Sequence, residues 1–281
     1  MNPAFDAFQF REFKFFLIIR AALVFAWCMQ FVVIEWEVYQ LTKDPFSLGL
    51  IGLLEIIPAF STAIFAGHIV DRSEKKGLLL LFSSLLLLHS MAYLYCMSGI
   101  IEAQTIKLNL IYFLVFLGGI IRAFISPTVF ALMANIIPKS NIQNATSWSS
   151  SAWQLSSVLG PAIGGFAIRF VGVYYTMMIV CVVLSISLVS NLQLSKTSIQ
   201  SSSKESMIVS LQQGLRFVFQ TKVILSALTL DMVAVLFGGA VALLPVFAAD
   251  ILEVGSLGFG LLRAAPAVGA FIVMVLSLIH I

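Results

Sequence analysis

The sequence is poor in charged side chains: they make up only 10% of its 281 residues, whereas hydrophobic residues make up 60%. A soluble globular domain usually carries about 25% charged residues, so this composition excludes an ordinary soluble protein. The sequence has only 3 cysteines, and all of them lie in apolar runs, which excludes a disulfide framework. No basic stripe is present outside short loops, so we expect no binding of nucleic acid.

Residues that enzymes use for catalysis are also scarce. The sequence has 3 histidines, and none of them belongs to a Ser–His pair or to a pattern of metal ligands. A phosphate-binding loop of the form G-x-x-x-x-G-K-[ST] is absent, which argues against ATP-driven pumping by this chain. We therefore expect no enzymatic activity, no metal and no cofactor.

Long apolar segments are what the sequence has in abundance. A stretch of about 20 apolar residues crosses a lipid bilayer as a helix, and the pattern predicts an all-α membrane protein with about eight such helices. The segments are residues 15–39, 47–70, 77–99, 108–136, 148–168, 172–192, 223–249 and 257–281.

The loops predict an orientation and a division of the chain. If the N-terminus is cytoplasmic, most loop Lys and Arg residues lie on that side, as the positive-inside rule requires. The opposite side then carries Lys43, Lys107 and Arg169. The polar segment 195–222 separates six apolar segments from two, so we expect a cytoplasmic linker between a six-helix half, 1–194, and a second part, 223–281.

An internal repeat relates the second and the eighth segments. GLLEIIPA at 52–59 returns as GLLRAAPA at 260–267, with the same Gly and Pro positions. Parallel repeats of six helices are one architecture of secondary transporters, so a complete protein would have twelve helices. The chain stops inside an apolar run, and Leu276–Ile281 resemble translated sequencing-adapter sequence; we therefore expect a truncated fragment and assign no role to His280.

The loop between the second and third segments has a recognisable pattern. It contains Gly67, Asp71, Arg72, Lys75 and Lys76, and it resembles the G-x-x-x-D-R-x-G-R-R/K loop of the major facilitator superfamily, with Glu74 where the family usually has Gly. The resemblance implies a cytoplasmic gate at this turn. The alternative is a plain polar turn that marks the cytoplasmic side.

A second pattern of that family lies in the fifth segment. Ser156, Gly160, Pro161, Gly164 and Gly165 are similar to G-x-x-x-G-P-x-x-G-G, a motif of exporters and antiporters, with Ser156 replacing the first Gly. Pro is expected to kink the helix, and the glycines let another helix approach closely. Stretches such as LTKDPFSLGLIGLLEIIP resemble the branch of enterobactin exporters and macrolide efflux proteins.

Four charged residues fall deep in the predicted helices. A charge at the bilayer centre costs about 2.5–3.5 kcal/mol, so such residues face a bundle interior or an aqueous cavity. We expect Glu55, Arg122, Asp231 and Arg263 to be cavity or proton-coupling charges.

Other residues are assigned to the edges of the membrane. Arg20 and Glu35 are expected to reach the interfaces with their long side chains. Trp27, Trp36, Trp148 and Trp153 could stack a planar substrate, but membrane helices place Trp at interfaces by default.

The repeat places Glu55 and Arg263 at equivalent positions with opposite charge. They either pair with each other in one conformation or each has a separate partner in its own neighbourhood, and the second arrangement is slightly favoured.

The resemblance implies a monomeric secondary transporter of the bacterial cytoplasmic membrane that exports a small siderophore or drug-like molecule in exchange for protons. The alternatives are a non-transporting helix bundle, such as a receptor or assembly factor, and an inactive fragment of a transporter.

Overall fold

The computed structural model describes residues 3–195, 216–237 and 239–279. The apolar segments form helices because, in a bilayer, each backbone N–H and C=O must be satisfied within the chain. Within the described ranges there is no strand. The long helices are α1 (Arg11–Thr42), α2 (Pro45–Arg72), α3 (Lys75–Cys96), α4 (Gln104–Ile136), α5 (Ile142–Leu192), α6 (Lys222–Phe237) and α7 (Gly255–Ile279).

Among the residues that the structure describes, six helical stretches are long and apolar enough to cross a membrane. One of them, Lys139–Leu192, has 54 residues and would measure about 80 Å at 1.5 Å per residue, far more than the roughly 30 Å of a bilayer core. Gly172, with φ of 83°, breaks α5. This break lies at the predicted boundary between the fifth and sixth segments, and the prediction of an all-α membrane protein is confirmed.

The seventh predicted segment is not one continuous helix. α6 ends at Phe237, and residues 239–251 form a succession of short helical turns, the last of which, Phe247–Ile251, is a π-helical turn. Gly239 and Pro245 fall in this stretch, and both residue types disfavour a regular helix interior. The predicted segment 223–249 is therefore divided.

The predicted domain boundaries stay predictions. Most of the expected linker between 1–194 and 223–281, residues 196–215, lies outside the described residues, and so do His280 and Ile281.

α1 is the central helix, and it packs against α5, α4, α2 and α7. Large side chains such as Phe13, Phe16 and Met29 are at most 1% exposed. Helices on the outside carry exposed apolar side chains instead, for example Phe60 and Phe170. This distribution is the one expected where lipid covers the outer faces.

Small residues on α5 bring it close to two other helices. A Cβ added at Gly160 would lie 2.8 Å from Cβ of Cys28 on α1, and one added at Gly165 would lie 2.6 Å from Cα of Gly260 on α7. Neither helix could stay at this separation with a larger residue at these positions, because the obstructing atoms at Gly165 belong to the backbone. The glycines thus set the spacing of α1, α5 and α7.

This packing predicts different costs for two neighbouring alanine substitutions. Gly165→Ala places its Cβ against the backbone of α7, whereas the Cβ of Gly164→Ala would lie 3.3 Å from Cγ of Met29, a flexible side chain. We expect Gly165→Ala to destabilise the protein by about 1–3 kcal/mol, the range of overpacking, and Gly164→Ala to cost less. Thermal unfolding in detergent, followed by tryptophan fluorescence, measures both; equal unfolding midpoints would contradict this packing.

Candidate functional site

A cavity of about 540 Å³ lies among α1, α2, α4, α5 and α7. Its wall combines aromatic rings with charged groups. Three of the four predicted cavity charges line it, together with two tryptophans: Glu55, Arg122, Arg263, Trp27 and Trp153. A site of this size, with apolar walls and a few converging polar groups, is typical of small-molecule binding sites.

The first charged cluster is built around Arg122 of α4. Its Nη1 donates to Oε1 of Glu55 on α2, and its guanidinium lies 4.6 Å from the centroid of the Trp27 ring on α1. The Arg122 side chain is 53% exposed, whereas the Glu55 side chain is 12% exposed. Arg122 therefore presents much of its guanidinium to the cavity, while its carboxylate partner lies largely behind it.

The second charged cluster has the same three kinds of group, with its guanidinium on α7 and its carboxylate and ring on α1. Nη1 of Arg263 on α7 donates to Oε1 of Glu35 on α1 at 3.1 Å, and its guanidinium lies 5.0 Å from the centroid of the Phe31 ring. The same Nη1 also donates to the carbonyl of Val241 at 3.3 Å. In each cluster, a guanidinium is held between a carboxylate and an aromatic ring of α1.

The expectation for Glu35 is wrong. It does not reach an interface but is buried, with only 4% of its surface exposed, and it pairs with Arg263. α1 continues to Thr42, so Glu35 lies about two turns inside the helix end. Arg20, the other residue assigned to an interface, is half-buried and lies 5.3 Å from the Phe130 ring centroid.

One face of α1 contributes to both clusters. Trp27, Phe31 and Glu35 follow one another at intervals of four residues, which places them in one row along a helix. The ring centroids of Trp27 and Phe31 are 6.2 Å apart. This spacing is visible in the sequence, although the sequence does not show that the row faces charged groups on α4 and α7.

The two repeat-related charges enter the same cavity but do not pair. Glu55 pairs with Arg122, and Arg263 pairs with Glu35. In this structure each repeat residue thus has a separate partner, which is the slightly favoured of the two arrangements. Asp231 differs from the other three charges, because it is exposed and lies outside the set of residues that line the cavity.

The loop between α2 and α3 uses two of its charged residues locally. Nζ of Lys75, a buried residue, donates to the carbonyls of Val70, Asp71 and Ser73 at 2.5, 2.9 and 2.8 Å. Glu74 is the N-cap of α3, since its side chain accepts the N–H groups of Lys76 and Gly77. Helix N-termini favour negative charge, which explains an acidic residue at this position.

Of the other charged residues in the loop, one contacts a distant part of the chain and two are exposed. Nζ of Lys76 donates to the carbonyl of Leu194, just beyond the end of α5. Asp71 and Arg72 are exposed, and Gly67 lines a second cavity of about 720 Å³ between α2 and α4. The role of Gly67, Asp71, Arg72, Lys75 and Lys76 as a gate stays a prediction.

The predicted motif of α5 lies between α1 and α7. Ser156 Oγ donates to the carbonyl of Ala21 at 3.1 Å, and Gly164 also faces α1, at Met29. Gly165 faces α7, and Pro161 lines the cavity. The motif therefore joins the central helix to the second part of the chain beside the cavity, and its role in transport stays a prediction.

Helices of membrane-spanning length around a cavity lined by charged groups define an integral membrane protein of the transporter type. Residues 3–279 match the family described as transmembrane secretion effectors. Because the match covers nearly the whole chain, the protein belongs to this family of the major facilitator superfamily.

The chain is similar to two bacterial efflux proteins. It is 24% identical over 214 residues to "Multidrug efflux pump Tap" of Mycolicibacterium fortuitum, covering 72% of this chain and 51% of that protein. It is 30% identical over 124 residues to "Multidrug resistance protein 2" of Bacillus subtilis (strain 168), covering 44% of this chain and 29% of the relative. The chain thus spans about half the length of these relatives or less.

Solved structures of POT family transporters share the fold. One in complex with a thioalcohol-conjugated peptide has a TM-score of 0.56 at 13% identity, covering 84% of this chain and 51% of that one. Another, in complex with 5-aminolevulinic acid, has a TM-score of 0.55 at 13% identity, covering 84% of this chain and 52% of that one. Identity this low shows a common fold alone.

The pairing predicts which charge substitutions depend on each other. Arg263→Gln leaves Glu35 buried without its partner, and removing one member of a buried pair costs about 3–5 kcal/mol. Adding Glu35→Gln should recover part of this loss in thermal unfolding. The matched control combines Arg263→Gln with Asp71→Asn, an exposed residue outside the cavity lining, and the two effects should add within about 0.5 kcal/mol. The pairing would be refuted if the two control substitutions were strongly coupled in their effects on stability while Glu35→Gln and Arg263→Gln were not.

Proposed function

We propose that the protein is an efflux transporter of the bacterial cytoplasmic membrane, which exports a siderophore or drug-like small molecule in exchange for protons by alternating access. The single observation that carries this proposal is the cavity in which two ion pairs lie against a row of aromatic rings. Family membership and the similarity to two multidrug efflux proteins support it.

The cavity favours a substrate with an aromatic or acidic group. Its volume of about 540 Å³ lies within the range of about 300–1,000 Å³ common for drug-sized ligands. Trp27, Phe31 and Trp153 offer flat apolar surfaces, and the half-exposed guanidinium of Arg122 attracts anionic or electron-rich groups.

Glu55 is the proposed site of proton coupling. Its carboxylate holds Arg122 in an ion pair, and a protonated carboxyl group would no longer attract the guanidinium by its charge. Proton binding therefore changes how strongly Arg122 holds a substrate. A change in binding that differs between two states is what drives a population from one state to the other.

Contacts between the two parts of the chain support one closed face. Tyr39 OH donates to Asp250, Arg263 binds Glu35, and Gln154 Nε2 donates to the carbonyl of Ala267 at 2.6 Å. The first two join the C-terminal half of α1 to the second part. With the N-terminus cytoplasmic, as the loop charges predict, the contacts of Tyr39 and Glu35 close the outer face of the bundle. The cavity is then open to the cytoplasmic side.

Proton coupling is tested in inverted membrane vesicles that contain the chain. A pH gradient should drive uptake of a fluorescent aromatic anion such as fluorescein, and Glu55→Gln should reduce this uptake at least tenfold. Asp231→Asn is the matched control, because Asp231 is exposed and outside the cavity lining, and it should retain more than half of the uptake. Loss of uptake in the control alone would contradict the assignment of Glu55.

A separate measurement distinguishes transport from the non-transporting helix bundle. Cysteines introduced into the cavity should react with reagents applied from either face of the membrane, and reaction from one face only would favour the non-transporting bundle.

The two parts of the α2–α3 loop should respond differently to substitution. Lys75→Met removes the ammonium that binds three carbonyls, so the amount of protein in the membrane should fall. Asp71→Asn changes only an exposed carboxylate, so the amount should stay normal while dye uptake falls several-fold if this residue belongs to a gate. Immunoblots of membranes measure the amount of protein, and uptake assays measure transport. If Asp71→Asn lowers both to the same extent, the loop is a plain polar turn.

A further inference from the structure

A third, much smaller cavity is lined by Glu55. It has a volume of about 10 Å³ and is enclosed by residues of α1, α2, α3 and α4. Glu55, Trp27 and Phe31 line both this chamber and the large cavity. Glu55 therefore lies between the proposed substrate cavity and an interior chamber, and any role of this chamber in transport rests on the proposed proton coupling at Glu55.

His89 supplies one polar wall of the chamber. It is 6% exposed, and its Nε2 lies 2.8 Å from the carbonyl oxygen of Leu114. Because a carbonyl oxygen can only accept, Nε2 must carry hydrogen, and in the neutral ring Nδ1 is then an acceptor. Nδ1 is buried and has no hydrogen-bond partner among the described residues.

The position of this ring is restricted by its neighbours. A Cβ added at Gly118 on α4 would lie 3.1 Å from both Cε1 and Nε2 of His89. The ring also stands edge to face with Tyr93, with 4.8 Å between the centroids. The hydrogen bond to Leu114 and these contacts hold the imidazole in one orientation.

Tyr93 and Gln30 complete the polar lining. The Tyr93 hydroxyl is buried and, within the described part of the chain, has no hydrogen-bond partner. Oε1 of Gln30 accepts from Ser90 Oγ at 2.5 Å. A water molecule requires roughly 10–15 Å³ and two to four polar partners. The chamber, at about 10 Å³, matches the lower end of this range, and Glu55, His89 and Tyr93 are among the residues that line it.

We propose that this chamber is a proton-relay site, in which one water molecule carries protons between the Glu55 carboxyl group and Nδ1 of His89. The O–H bond of protonated Glu55 breaks as its proton passes to the water, and the water gives one of its own protons to Nδ1. The products are a Glu55 carboxylate, an intact water and an imidazolium whose Nε2–H still binds Leu114. No proton or electron is gained or lost.

In the relay, the group that holds the proton is not the group that forms the ion pair. Once His89 holds the proton, Glu55 is again an anion and can pair with Arg122. Tyr93 orients the water through its hydroxyl and is a positioning residue. The titratable groups that line the chamber are Glu55 on α2 and His89 and Tyr93 on α3. Arg122 on α4 pairs with Glu55. Arg263 on α7, which pairs with Glu35 on α1, lines the adjoining large cavity.

Nitrogen-15 NMR of labelled histidine in nanodiscs tests the relay on the full chain. The sequence has 3 histidines, so His68→Asn with His280→Asn leaves the imidazole of His89 as the one signal. At high pH we expect the tautomer protonated at Nε2, and on acidification we expect Nδ1 to gain a proton.

Two substitutions should move this titration in opposite directions. Glu55→Gln removes a nearby negative charge, so the imidazolium forms at a pH lower by about one unit, a tenfold loss of proton affinity. Arg122→Gln removes the partner cation of Glu55, so the imidazolium should form at a higher pH. Asp231→Asn, an exposed residue of α6, is the control and should leave the midpoint unchanged, and Tyr93→Phe should reduce the effect of Glu55→Gln.

The outcomes distinguish the relay from the proposed function. If His89 stays neutral over the pH range in which vesicles take up dye, or if neither Glu55→Gln nor Arg122→Gln moves its midpoint, the relay is refuted even when uptake depends on Glu55. If the midpoint moves as expected but uptake does not depend on Glu55, the relay stands and proton-coupled export fails.

Discussion

Ionised side chains in a bilayer-spanning bundle are tolerated only where another group compensates them, and this constraint organises the centre of the molecule. Each guanidinium in the cavity has a carboxylate on one side and an aromatic face on the other. Of the two carboxylates and two rings that contact these guanidinium groups, three belong to α1: Trp27, Phe31 and Glu35. α1 therefore contributes both apolar side chains to the core of the bundle and the groups that stabilise charged side chains within it.

The two clusters differ in what they connect. Glu55 and Arg122 both belong to the first part of the chain, whereas Glu35 and Arg263 join the first part to the second. A change of charge in the first cluster alters the cavity wall, whereas a change in the second alters the contact between the two parts. Because Trp27 and Phe31 are adjacent on α1, the two clusters lie side by side in one site.

The fold could be predicted from the sequence because long apolar runs leave few structures open to the chain. The break at Gly172 lies beside the gap between the predicted segments 148–168 and 172–192. Glu55 and Arg263, which the repeat placed at equivalent positions, line one cavity. Their partners could not be predicted, since apolar helices carry no pattern that specifies which neighbour each one faces. Glu35 was assigned to an interface because α1 extends further than its apolar run. Asp231 was assigned to the cavity because it lies deep within a predicted helix, and in the structure it is exposed outside the cavity lining.

The loop between α2 and α3 shows how a motif can serve two purposes at once. The ammonium of Lys75 binds three carbonyls at the end of α2, while Glu74 caps the start of α3. Together these contacts order the turn that connects α2 to α3. Glu55 lies on α2 and His89 on α3, so the two residues of the proposed relay belong to the two helices that this turn connects.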